Sequence, residues 1–377
     1  MLTGGGARAA YQVGVLRALA HILPHGISNP FPIVCGTSAG AINAVALAAG
    51  AADFHRAVRR LQLVWRNFGA HQVYRSDPIG IAATGAGWLL EPLLRRLGRE
   101  EPVALLDNSP LTRFLRERLD LHEIGHMISA NVLRAVAVSA SSYSTGESIS
   151  FYQGNELLSG WRRARRVGVR VEIGIEHLLA SSALPFIFRP VRIRREYFGD
   201  GSMRQMAPLS PALHLGAQRV FVISVGRQVT GAQERVRTEA YPSLAQIAGH
   251  ALNSIFLDGL ETDIERLQRI NRTLRLMPPE SRDPDLFQLR EVEVLVMRPT
   301  EDLGALAAQH AHELPITVRM LMSVIGGMGR GGGTLVSYLL FERGYCRALI
   351  DLGYRDTMAR RDEVSQFLGI TPPATKR

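Results

Sequence analysis

Two short segments near the start of this chain of 377 residues hold the residue types that acyl transfer needs, and a third stands far downstream. Ser38 lies in Gly36-Thr37-Ser38-Ala39-Gly40, after the apolar run 31–35 and before the small-residue run 41–49. Strand, sharp turn and helix in that order, with a hydroxyl at the bend, describe a nucleophile elbow. Gly36 and Gly40 suit it, because the bend needs strained dihedrals and close backbone approach that a Cβ would obstruct. The serine then sits at a helix N-terminus, where the N–H of Ala39 and the helix dipole favour developing negative charge.

The second segment, Gly4-Gly5-Gly6-Ala7-Arg8-Ala9, has two readings. As Gly-x-Gly-x-x-Ala between strand and helix it would be a dinucleotide fingerprint. That motif wants an acidic residue about 20 positions on, where this chain has His21, Pro24 and His25, with no carboxylate before Asp53. As a row of glycine N–H groups backed by a helix N-terminus, it is a cradle for an oxyanion. Paired with the Ser38 elbow, the second reading is the stronger.

A serine hydroxyl needs a base. His214, His250, His310 and His312 all fall in helical stretches, without the strand-end loop of a triad histidine. Asp200 is the better candidate: it stands between Gly199 and Gly201, directly after the β-rich run Val191–Phe198. The plain alternative is a Gly-Asp-Gly turn. In a dry pocket a carboxylate's pKa rises until it can accept a serine proton.

Several elements must position these residues. Apolar spacing predicts a helix from Ala9 to Leu23, ended by Pro24 and Gly26. Strands are expected at Leu133–Ser141, Ser148–Gln153, Val191–Phe198, Arg219–Val225 and Glu291–Met297, with Arg170–Ile173 a short extension. A long helix is expected over Leu244–Leu274, and only helices from Leu303 to Phe367. Met1-Leu2-Thr3 reads as the tail of a first strand, most of which is missing; a late start codon or a shortened edge strand would account for it. Strands alternating with helices indicate an α/β fold with a mainly parallel sheet.

Taken together, the segments resemble the patatin-like phospholipase family. Its members carry a Gly-Gly-Gly-x-Arg-Gly loop, a Gly-x-Ser-x-Gly elbow, an Ala-Ser-x-x-x-Pro segment and an Asp-Gly-Gly or Asp-Gly-Ala motif. Here the counterparts are Gly4-Gly5-Gly6-Ala7-Arg8, Gly36-Thr37-Ser38-Ala39-Gly40, Ala180-Ser181-Ser182-Ala183-Leu184-Pro185 and Asp200-Gly201, in that order over about residues 1–215. The resemblance implies a three-layer α/β hydrolase acting on acyl esters of lipids, through a Ser38–Asp200 dyad without a catalytic histidine. It also implies an oxyanion site built from Gly4, Gly5, Gly6, Ala7, Arg8 and Ala39, with Gly36, Gly40, Pro185 and Gly201 in support. Arg8 is expected to brace that loop or to meet a phosphate. Ala9 and Ser202 depart from the pattern: Ala9 replaces a glycine, and Ser202 stands where Gly or Ala is usual, close enough to add a hydrogen bond near Asp200.

Domain organisation follows: a catalytic core over 1–215, continuation of the sheet over 216–299, and a helical C-terminal extension over 300–377. The net charge of +10 invites an anionic partner, but Lys376 is the only lysine, and so uniform an arginine preference looks like codon bias. The runs Arg162–Arg166 and Arg189–Arg195 could face an anionic membrane, and Trp88-Leu89-Leu90 with Pro92-Leu93-Leu94 could form part of a lid. No Cys/His cluster suggests a metal, no cofactor is called for, and no nucleic-acid signature is present. Two cysteines and no secretory signal point to a cytoplasmic protein, with peripheral membrane contact. Oligomeric state has no signature. Two alternatives stand beside the lipid acyl hydrolase: an acyltransferase using the same acyl-enzyme, and a non-catalytic nucleotide-binding or regulatory protein.

Overall fold

A computed structural model describes residues 1–76, 104–227, 241–278, 290–329 and 331–370. The tryptophan–leucine segments at 88–94 lie outside the described residues. Strands are β1 (Ile33–Thr37), β2 (Ala135–Ser142), β3 (Ser148–Gly154), β4 (Trp161–Arg163), β5 (Arg166–Arg170), β6 (Val191–Ile193), β7 (Glu196–Asp200), β8 (Arg219–Ile223) and β9 (Glu293–Met297). The helices of the first half are α1 (Ala10–Ile22), α2 (Ala39–Ala49), α3 (Phe54–Arg66), α4 (Ser109–Arg118), α5 (His122–Ser129), α6 (Ile175–Ser181) and α7 (Ser210–His214). Those of the second half are α8 (Leu244–Asn253), α9 (Gly259–Leu276), α10 (Leu303–His310), α11 (Ile316–Val324), α12 (Gly333–Leu339), α13 (Arg343–Ala359) and α14 (Arg361–Leu368).

The sheet is α/β in character, with parallel pairings β1–β2, β3–β5 and β8–β9 and antiparallel pairings β2–β3, β2–β7, β4–β5 and β6–β7. Met1–Thr3 lies in its interior rather than at an edge. Leu2 bridges both Gly36 and Ile223 in parallel sense, its N–H donates to the Cys35 carbonyl, and Thr3 N–H donates to the Ile223 carbonyl. So short a segment joins β1 to β8 because its backbone groups are used on both sides.

Alternation along the strands builds two cores. Val34, Val136, Val138, Phe221 and Ile223 face α1, α2 and the C-terminal helices. Cys35, Ala135, Ala137, Val220 and Val222 face α7 and α9 through Ala212, Leu260 and Ile264, with Leu209 just before α7. Helix, sheet, helix is the expected three-layer arrangement. Among the described residues, no helix is long and apolar enough to cross a membrane.

Two expected strands differ. Val191–Phe198 is a hairpin, β6–β7, turned at Arg194 in a left-handed conformation (φ 55°). The strand expected over Arg170–Ile173 lies earlier: β5 ends at Arg170, and the arginine run forms the hairpin β4–β5, turned at Arg165 (φ 56°). In both cases arginines at the bend hid the reversal, because neither glycine nor asparagine marks the turn.

One register decides where the chemistry sits. Along a single edge of β2, Ser139 is level with Thr37 of β1, and the next residue, Ala140, is level with Asp200 of β7. The two strands run toward each other on that edge and stop head to head. Ser38 and Asp200 are therefore neighbours although 162 positions separate them.

Candidate active site

Ser38 is the bend between β1 and α2, at φ 54° and ψ −133°. A non-glycine residue in this region carries about 1–3 kcal/mol of strain, kept only where its surroundings impose it. Here they do. A Cβ at Gly36 would collide with the carbonyl of Gly40, and one at Gly40 with that of Thr3, so both glycines permit backbone contact. The Ser38 N–H donates to Ser181 Oγ (2.8 Å), which itself donates to the Ser139 carbonyl (2.6 Å). The elbow is thus tied to β2 through the serine of the Ala-Ser-x-x-x-Pro segment.

Asp200 closes β7 and is fully buried. Its N–H donates to the Ala183 carbonyl (2.9 Å), so the same segment holds both halves of the pair. Asp200 Oδ1 accepts from the Ser202 N–H (2.9 Å), whereas Oδ2 has no hydrogen-bond partner of good geometry. Burial pushes the carboxyl up to about 6; the nearby hydroxyl of Ser38 and the N–H and hydroxyl of Ser202 draw it back down. A Cβ on Gly201 would strike the Ser139 carbonyl. The Ser202 N–H bond is one that Gly or Ala would also make; its hydroxyl, the departure from the pattern, stands close enough to help draw the carboxyl back down.

Gly4, Gly5 and Gly6 lead into a 3₁₀ turn, Gly6–Ala9, that opens α1; the first N–H groups of such a start have no intrahelical acceptor. Gly6 is left-handed (φ 55°), and a Cβ there would meet the Tyr338 carbonyl. Gly4 fits against Ser202 Oγ and the ring of Phe256. Ala9 is wholly buried, and its carbonyl accepts from Asn43 Nδ2 (3.2 Å).

Of the two roles expected of Arg8, bracing the loop and meeting a phosphate, its contacts fit the first, and its own N–H does not face an oxyanion. Its N–H is turned inward to the Gly5 carbonyl. The residue is 4% exposed, and its guanidinium donates to Ser337 Oγ (2.7 Å), Asn253 Oδ1 (3.1 Å), Tyr338 Oη (3.1 Å) and the Thr334 carbonyl (3.3 Å). It also lies over the Tyr338 ring, 4.0 Å from the centroid. With its donors engaged by α8 and α12, Arg8 braces the glycine loop.

Pro185 opens the turn in which the Phe186 and Ile187 carbonyls accept from Leu105 and Leu106 N–H, fastening this corner to the irregular segment before α4. One supporting residue had no sequence signal. Gln205 accepts from Thr37 Oγ1 (2.8 Å) and donates to Ser139 Oγ (3.1 Å), bridging the ends of β1 and β2.

Ser38, Ala39 and Gly6 open onto one apolar cavity of about 200 Å³ between α2, α3 and α4. Among the described residues no histidine lines it. His214 is occupied elsewhere, stacked on Trp161 (4.8 Å between centroids). His310 Nδ1 is paired with Glu313 (2.7 Å). The arrangement sets a strained hydroxyl beside a buried carboxyl of raised pKa, at the mouth of an apolar cavity, with a helix-opening loop opposite. This is the equipment of nucleophilic acyl transfer.

The sequence profile described as patatin-like phospholipase matches residues 1–213. A protein described as a cGAMP-activated phospholipase, from Pseudomonas aeruginosa (strain BWHPSA011 / Pa011), is 26% identical over 325 residues, 82% of this chain and 87% of that one. Among solved structures, VipD from Legionella pneumophila aligns over 96% of this chain and 66% of its own at 13% identity, with a TM-score of 0.34.

Proposed function

Because the chain belongs to the patatin-like phospholipase family, we propose that it is a serine lipid acyl hydrolase of phospholipase A, lysophospholipase or carboxylesterase type, with Ser38 as nucleophile and Asp200 as its base. The observation that carries this reading is the meeting of β1 and β7 on one edge of β2, which sets a strained Ser38 beside a buried Asp200. At neutral pH a carboxyl of pKa about 6 is mostly ionised, yet basic enough to take a proton within a dry site. As Oγ attacks the ester carbonyl its proton passes to Asp200, and the carbonyl oxygen becomes an oxyanion. The N–H groups of the Gly4–Gly6 loop and of Ala39 face that charge. Collapse expels the alcohol, which recovers the proton from Asp200. Water, deprotonated by the same carboxylate, then releases the fatty acid.

The substrate class is a lipid or other acyl ester. The arginine hairpins β4–β5 and β6–β7 are offered as contacts to an anionic membrane, each near-surface charge contributing about 1 kcal/mol. The test is turnover of phospholipid vesicles and p-nitrophenyl esters by wild type, Ser38→Ala and Asp200→Asn, with a fluorophosphonate probe to label the nucleophile. Assays run with and without cGAMP, the activator named for the Pseudomonas relative, so that an idle enzyme is not mistaken for an inactive one. Each substitution is expected to lower kcat at least about 10³-fold, and Ser38→Ala to abolish labelling. Wild-type turnover in either variant overturns the dyad.

A further inference from the structure

Apart from Asn43, helix α2 is built of apolar and small residues and is packed on most sides: Ala41, Ala44, Val45, Leu47 and Ala48 are buried. Ile42, Ala46, Ala49 and Gly50 are the exceptions, each partly open. Spacings of four (42, 46 and 50) and three (46 and 49) place them on a single strip along the helix axis. That strip is the floor of the cavity whose near end is Ser38. Leu61 and Trp65 of α3 form one wall, with Leu111 and Leu115 of α4 forming the other. Trp65 is held in place, because its indole N–H donates to Asn43 Oδ1 (2.8 Å). The apolar lining stops at the far end, where Arg60, Arg118, Asp120 and Glu123 form a charged rim. Alanine and glycine along most of the floor keep the trench open; a larger side chain would plug it at a known distance from the serine.

We propose that this strip is a ruler for the acyl chain, which makes the preferred substrates esters of long, unbranched acyl groups of about twelve to fourteen carbons. The proposal rests on the reading of Ser38 as the acylated residue. From Ser38 to Gly50 the helix advances about 18 Å at about 1.5 Å per residue, which an extended chain gaining roughly 1.25 Å per carbon covers in about fourteen carbons. The enclosed volume of about 200 Å³ holds roughly seven methylenes, if each takes about the 30 Å³ share of a liquid water molecule. A chain lying along the strip is thus about half covered by protein. Full burial of a methylene is worth about fourfold in kcat/KM, so half-coverage predicts a rise of about twofold per carbon. Beyond the charged rim the rise stops, since further methylenes meet ionised side chains and water.

The test is a p-nitrophenyl ester series from C2 to C16, at fixed detergent, on wild type and on Ile42→Phe, Ala46→Phe and Ala49→Phe. Each profile is scaled to that variant's own shortest ester, so overall turnover does not enter. The expected result is a cutoff that moves with the position of the plug: about five carbons for Ile42→Phe, about ten for Ala46→Phe, and close to the wild-type limit for Ala49→Phe. Cutoffs that coincide in the three variants, or a wild type that prefers C2 to C4, overturn the ruler. Fluorophosphonate labelling of Ser38 reports whether each plugged variant is folded; one that fails to label is replaced by its methionine counterpart. The two readings fail separately. Turnover surviving in Ser38→Ala removes the nucleophile, whereas an inactive Ser38→Ala with immobile cutoffs removes only the ruler.

Discussion

Asp200 is where stability and activity oppose each other. Its carboxyl is 0% exposed and titrates near 6, against an ordinary 3.8, with burial the largest cause. The folded state therefore binds the proton more tightly than the unfolded one, and between about pH 4 and 6 stability falls as pH rises. Above that window a shift of this size corresponds to about 3 kcal/mol of destabilisation from a buried ionised carboxylate. Asparagine keeps an oxygen for the Ser202 N–H, and its amide can donate to Ser38 Oγ. Asp200→Asn is thus expected to raise Tm at pH 8 by an amount that vanishes near pH 4, while turnover is lost. Thermal unfolding at the two pH values measures it, and a variant no more stable than wild type at pH 8 contradicts it. The same ionisation predicts kcat/KM on a neutral ester falling about tenfold per unit below pH 6. A profile flat down to pH 5 would mean that Asp200 is not the base.

The element that joins the site is α6 with the turn after it. Ser181 accepts the Ser38 N–H and bonds the Ser139 carbonyl, and two residues on, the Ala183 carbonyl accepts the Asp200 N–H. Ser181→Ala leaves the elbow's buried N–H without an acceptor, at about 1–3 kcal/mol. Freed from that tie, Ser38 can relax out of its left-handed strain. Lower kcat with little change in KM is therefore expected, and steady-state kinetics beside urea unfolding would show it. A rise in KM alone would place Ser181 in substrate binding instead. This segment also marks what a sequence shows and what it hides. The strand–bend–helix signal at Ser38, the glycine loop, and the helices at 9–23 and beyond 303 are local patterns, and each is present in the fold. Ala-Ser-x-x-x-Pro was visible only as a string of letters, since its meaning is a bond between residues 143 positions apart. Gln205 has no signature, because a lone glutamine acquires its role only when β1 and β2 bring Thr37 and Ser139 to it. The hairpins at Arg165 and Arg194 were missed for a different reason: left-handed arginine is unfavourable locally and is imposed by strand pairing.

At the scale of the whole molecule, the helices after residue 300 are packed into the core rather than appended to it. α13 crosses α1 backbone to backbone: a Cβ at Gly14 would strike the Ile350 carbonyl, and one at Gly353 the Tyr11 carbonyl. Around that crossing, buried Asp356 accepts from Tyr11 Oη (3.1 Å) and from the Thr300 N–H and hydroxyl (3.1 and 2.7 Å). Tyr345, Leu349 and Ile350 share one cluster with Tyr11, Val15 and Leu19. α12 supplies the Ser337, Tyr338 and Thr334 oxygens that hold Arg8, so the brace of the glycine loop comes from some 330 residues downstream. Removing these helices would uncover α1 on its apolar face and leave a buried guanidinium short of acceptors, where an unpaired charge costs several kcal/mol. A chain ending at residue 299 is therefore expected to show no cooperative thermal transition, and Gly353→Leu, which only wedges the crossing, to lower Tm sharply and turnover with it. Ser38 labelling by a fluorophosphonate should fall in parallel with the folded fraction. If the shortened chain unfolds cooperatively and still labels, the first 299 residues fold alone and the brace on Arg8 is dispensable. If Gly353→Leu folds with wild-type stability, the close crossing of α1 and α13 is not what holds the helical region in place.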